Sequence, residues 1–70
     1  MKVILLYSET KELLNVCATF DDTVDYLQSI NVDEELEIRF YPNCKVVCIR
    51  VVSEDYTYTA EYHHVRRREE

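Results

Sequence analysis

The sequence predicts an α+β fold, one helix packed on a mainly antiparallel five-stranded sheet, in the chain order ββαβββ. Three observations carry this. Apolar residues alternate with period two, or run together briefly, in five segments, and the period switches to a helical one only between residues 20 and 30. Polar, turn-forming residues separate the segments, and the lone proline, Pro42, lies in one of them. The chain has 70 residues, enough for one domain and too few for two cores. That domain is expected over residues 1–65, with 66–70, Arg-Arg-Arg-Glu-Glu, as a frayed charged tail.

Val3-Ile4-Leu5-Leu6 is a continuous apolar run, the mark of a strand covered on both faces. Ser8-Glu9-Thr10-Lys11 ends it. Leu14, Val16, Ala18 and Phe20 then alternate with Leu13, Asn15, Cys17 and Thr19, a second strand forming a hairpin with the first. Phe20, Val24, Leu27 and Ile30 follow at spacings of four, three and three, and so share one face of a helix over residues 20–30. Thr19 or Asp21 can cap its start, and the early aspartates suit the positive end of the helix dipole.

After the polar turn through Asn31 and Asp33, Leu36, Ile38 and Phe40 alternate with Glu35, Glu37, Arg39 and Tyr41 as a half-buried third strand. Pro42-Asn43 fits the centre of a type I turn. Val47, Ile49 and Val51 form the inner side of a fourth strand. Beyond Ser53-Glu54-Asp55, Tyr56, Tyr58, Ala60 and Tyr62 alternate with Thr57, Thr59 and Glu61 as a fifth. A right-handed crossover through the helix that clears the first strand gives the order 2-1-3-4-5, with a β-grasp-like arrangement, the final strands beside the first, as the alternative. The last strand, rich in Tyr and Thr, then becomes a candidate edge for pairing with another chain.

The chain contains no glycine. That excludes phosphate-cradling loops, dinucleotide-binding turns, nucleophile elbows and EF-hand loops, which need glycine where the backbone takes positive φ or closely approaches a ligand. Cys17, Cys44 and Cys48, with His63 and His64, raise a metal or thiol reading. Two cysteines four apart on one strand sit about 13 Å apart, too far for one ion or a disulfide. His63 and His64, as strand neighbours, point to opposite faces. No metal or other cofactor is therefore expected. No nucleophile–base spacing stands out either, and the expectation is a protein that is not an enzyme.

Charge is the more specific signal. The net charge is −6, which disfavours general nucleic-acid binding and attachment to anionic membranes. Between Lys11 and Arg39 there is no basic residue, and that stretch holds Glu12, Asp21, Asp22, Asp25, Asp33, Glu34, Glu35 and Glu37. These eight carboxylates exceed the net charge, so the rest of the chain is net positive by two. Asp21, Asp22, Asp25, Asp33, Glu34, Glu35 and Glu37 are the candidate partner-binding residues, one acidic surface on the helix and the turn after it. Spaced carboxylates of this kind steer a basic partner and can compete for a site built to hold nucleic-acid phosphates.

The leading expectation is a non-enzymatic interaction module with a protein partner that has a basic surface. By analogy of size and charge alone, its sharp form is an inhibitor of the sort that phages and mobile elements direct at a host nucleic-acid-binding protein. The alternatives are a homodimeric adaptor, a Cys/His metal or thiol protein, and a single-strand nucleic-acid binder. The last would use Tyr56, Tyr58 and Tyr62, a second candidate surface, with Arg66-Arg67-Arg68 as a basic arm. The apolar run from Val3 to Tyr7 is too short for a signal peptide, no run reaches membrane length, no Asn-x-Ser/Thr site occurs and the cysteine count of three is odd, so a reduced cytoplasmic location is expected.

Overall fold

A computed structural model describes residues 2–64; the tail expected at 66–70 lies outside them. The elements are β1 (Lys2–Tyr7), β2 (Leu13–Cys17), α1 (Phe20–Ile30), β3 (Leu36–Tyr41), β4 (Val46–Val51) and β5 (Tyr56–His64). Every strand pair is antiparallel, and the five strands form one sheet in the order β2-β1-β5-β4-β3. The α+β class, the ββαβββ order and the antiparallel sheet are thus as the periodicities predict.

The order departs from the expected 2-1-3-4-5 in one respect, and there it agrees with the alternative that sets the final strands beside the first. The β3-β4-β5 meander joins β1 by its last strand rather than its first, so β5 is central and β3 is an edge. The reason lies in β5 itself. Its nine residues are long enough to pair with β4 through Tyr56–Glu61 and with β1 through Thr59–His64. At the overlap Ala60 lies opposite both Leu6 and Val47 and is fully buried. A residue with only a β-carbon there leaves room for two large neighbours, a position made for a sheet interior. The Tyr- and Thr-rich strand is therefore no pairing edge; the edges are β2 and β3.

Cross-strand pairing assigns the faces, because directly opposite residues point the same way. The helix side carries Ile4 and Leu6 of β1, Val47, Ile49 and Val51 of β4, and Tyr58 and Ala60 of β5, which with Cys17 and Leu27 make the core. In β2 a bulge breaks the simple alternation. The register shifts between Leu6 and Tyr7, so Leu14 packs on the core while Val16 is exposed and Cys17 is buried. The opposite face of the sheet has no covering layer among the described residues.

The helix starts where its cap allows. Thr19, in extended backbone, accepts a hydrogen bond at its Oγ1 from the Asp22 N–H at 3.1 Å, so Thr19 and not Asp21 is the cap. Thr23 and Leu27 are fully buried, and Phe20 and Tyr26 pack beside them. The buried stripe is thus rotated from the one the apolar spacing marks: Ile30 is 51% exposed, and Thr23 takes a central place. Its hydroxyl is satisfied by donating to the Thr19 carbonyl at 3.2 Å. Asn31 closes the last turn, with both its backbone and side-chain N–H groups donating to the Leu27 carbonyl, and its side chain reaches the Tyr58 hydroxyl at 3.4 Å. That contact ties the helix end to the central strand.

With no glycine available, four other residues take positive φ among those described: Lys11, Asp33, Lys45 and Asp55. Each sits in a different connection, which is where a sequence without glycine must carry its left-handed backbone.

Candidate functional site

The seven acidic candidates are all exposed. Asp21 and Asp22 lie in the first turn of α1, where the free backbone N–H groups favour negative charge, and Asp25 follows one turn on. Asp33, Glu34 and Glu35 lie in the connection that leads from Asn31 to β3. Glu34 takes a hydrogen bond from the Ser53 hydroxyl, and the Glu35 carbonyl accepts from Val52 N–H at 3.1 Å. These bonds anchor the turn to the β4–β5 connection while leaving the other carboxylates toward solvent. Among the described residues, Asp21, Asp22, Asp25, Asp33, Glu34 and Glu35 form no ion pair with a basic side chain.

The helix separates Asp21 and Asp22, at its start beside the end of β2, from Asp33, Glu34 and Glu35, which follow its last turn and lie beside the β4–β5 connection. Glu37 lies apart from both groups. It lies opposite Arg50 in the β3–β4 ladder, on the face of the sheet away from the helix, and pairs with Arg50 Nε at 3.6 Å and Arg39 Nη2 at 4.0 Å. Arg50 in turn pairs with Asp55 at 3.0 Å. The result is a charged strip of alternating sign on the open face, bordering a hollow of about 370 Å³ lined by Glu37, Arg39, Tyr41, Cys48, Arg50 and Thr57. The pKa of Arg39 is raised, first by side-chain hydrogen bonding with Tyr41 and then by the charges of Tyr41 and Glu37. It is a permanent cation.

The tyrosines lie on the helix side. Tyr58 belongs to the core, and Tyr56 and Tyr62 pack against it. Two of their hydroxyls are engaged: Tyr56 accepts from the Glu9 backbone N–H at 3.2 Å, and Tyr58 meets Asn31. They form the core and its rim, not a row of free rings on the open face. The arginine arm paired with them in that reading lies outside the described residues.

Cys17 is buried on the helix side of β2, Cys48 is half-buried on the other face, and Cys44 is exposed in the β3–β4 turn. His63 and His64 alternate across the sheet, and His63 Nε2 lies 3.0 Å from Glu61 Oε1. Among the described residues, no three His, Cys, Asp or Glu side chains come together as metal ligands. A second hollow of about 220 Å³, lined by Lys2, Phe40, Lys45, Tyr62, His63 and His64, gathers basic side chains at the far end of β5.

Apolar periodicity alone did not mark one feature. Leu36, Ile38 and Phe40 point to the helix side, as their alternation predicts, yet the helix does not reach them. Ile38 is 48% and Phe40 56% exposed, on a strand with one free side. Glu37 and Arg39 on the alternate positions do not mark the edge, since the interior strands β4 and β5 carry Arg50 and Glu61 in the same way.

Comparison of the chain with protein-family models, with curated proteins and with solved structures found no match. No helix among the described residues is long and apolar enough to cross a membrane.

Proposed function

We propose that the protein is a non-enzymatic interaction module that engages a protein partner with a basic surface through the acidic helix–turn segment. The observation that supports this reading is the set of six exposed carboxylates between Asp21 and Glu35, which have no cationic partner among the described residues. Glu37, neutralised on the other face, is left out of that surface. Unpaired surface charge of one sign raises the encounter rate with an oppositely charged partner and specifies orientation more than it adds affinity. A partner that normally binds nucleic-acid phosphates is the natural target class, because its site already presents spaced cations.

The test uses an oligo-arginine peptide as probe. The protein binds it at low salt, and raising the salt weakens binding. Replacing two carboxylates of the segment, Asp25→Asn with Glu35→Gln, lowers affinity by about two- to tenfold. A control pair with the same change in net charge, Glu12→Gln with Glu61→Gln, leaves it nearly unchanged. Equal losses in both pairs would reduce the reading to net charge alone and overturn it.

A further inference from the structure

We propose that β3 is a self-association edge, on which a second copy of this chain pairs antiparallel about a two-fold axis at Ile38, merging the two sheets into one. β3 with its Glu37 and Arg39 lies outside the acidic helix–turn segment, so this association does not depend on that surface.

Lys45 O accepts from Tyr62 N–H at 3.0 Å, so the odd-numbered residues of β4 turn their peptide groups toward β5, and Val46, Cys48 and Arg50 turn theirs toward β3. Their partners Glu37, Arg39 and Tyr41 therefore bond inward, in phase with the Glu35 carbonyl that accepts from Val52. Leu36, Ile38 and Phe40 are left with N–H and C=O groups directed away from the sheet. Such a row is a template for another strand. Neither a proline nor a bulge interrupts it, whereas the β2 edge is five residues long and bulged.

Symmetry then limits the register. A two-fold axis relating antiparallel strands stands perpendicular to the sheet, so helix sides coincide and even-numbered residues meet even-numbered ones. Centring the axis at Glu37 sets Glu37 against its own copy, and centring it at Arg39 sets Arg39 against its own copy. Like charges directly opposite are destabilising. Centring it at Ile38 sets Glu37 opposite Arg39 of the second copy, twice over. It also lets Leu36, Ile38 and Phe40 exchange about six main-chain hydrogen bonds with the second copy. Each Glu37 then lies between Arg50 of its own chain and Arg39 of the second copy, in a row of alternating charge.

The apolar side agrees. In that register Ile38 lies against its own copy and Phe40 against Leu36 of the second copy, so each of the two large side chains the helix leaves half exposed gains an apolar neighbour. Backbone phase, charge and apolar exposure thus converge on one register and one occupant.

Sedimentation equilibrium of the full chain from micromolar to millimolar concentration tests this. The wild type should move toward twice 8.4 kDa as concentration rises. Glu37→Arg and Arg39→Glu, each placing like charges opposite one another at both pairs, should each weaken association by about tenfold or more. An equimolar mixture of the two variants should dimerise again, because positions 37 and 39 are then both cationic in one chain and both anionic in the other. Ile38→Pro, which removes an outward N–H without touching the β4 ladder, should be monomeric with an unchanged far-ultraviolet spectrum. A wild type monomeric at millimolar concentration overturns the proposal. So does association that survives both charge reversals, or a mixture that stays monomeric.

Discussion

At the scale of single residues, the absence of glycine shapes the backbone. Lys11 at φ 71° and Lys45 at φ 54° hold left-handed backbone without the short polar side chains that ease Asp33 and Asp55 into the same region. The cost is local strain in the β1–β2 and β3–β4 connections. Lys11→Gly and Lys45→Gly should therefore each stabilise the fold by about 0.5–1 kcal/mol, the relief outweighing the added freedom of the unfolded chain. Urea unfolding, read as a higher midpoint at constant slope, checks it. Ser8 shows how the other polar turn residues are used: its Oγ accepts from Glu12 N–H at 3.1 Å and its backbone closes the turn with Glu12 and Lys11. Ser8 is itself buried, so its alternation with the apolar residues of β1 is real although its side chain is polar.

At the scale of elements, the helix is held at three points: the Thr19 cap, the buried Leu27, and the Asn31 link to Tyr58. A helix of eleven residues is marginal alone, so its stability must come from these contacts. Thr19→Ala should cost about 1 kcal/mol, while Leu27→Ala, which empties a fully buried site, should cost about 2–5 kcal/mol. Chemical denaturation of the two variants separates the contributions, and a cap substitution as costly as the cavity would contradict this assignment. The helix span, the polar turn after it and the strand positions were legible in the sequence because each is written in local period and turn chemistry. The buried stripe was not fully legible. Thr23 is polar by composition and becomes a core residue only because the Thr19 carbonyl, four residues back, accepts its hydroxyl. Ile30 is apolar and stays half exposed, at the rim of the stripe that Thr23 and Leu27 bury.

At the scale of the whole molecule, the deciding position is Ala60, where β1, β5 and β4 come together. Ala60→Val, adding two methyl groups between Leu6 and Val47, should destabilise by about 1–3 kcal/mol through overpacking. If β5 were an edge, the same change would be near neutral, so thermal unfolding of this one variant reads the strand order directly. The charge follows the same division. Among the described residues, the acids from Asp21 to Glu35 have no basic side chain within ion-pair distance. Glu37, one strand position further, is neutralised because the β3–β4 ladder sets Arg50 opposite it.

What the sequence by itself determined is what local rules control: five strands and a helix in order, their turns, the segregation of negative charge, and the exclusion of glycine-dependent sites. The tertiary structure alone decided which strand lies beside β1, which tyrosines are core, and which carboxylates are paired among the described residues. Alternation with period two looks the same on a central strand and on an edge, and loop-closure entropy varies only slowly with the length of chain enclosed. Neighbours in the sheet are therefore chosen by long-range packing, at Ala60 above all, and exposure at β3 follows from that choice.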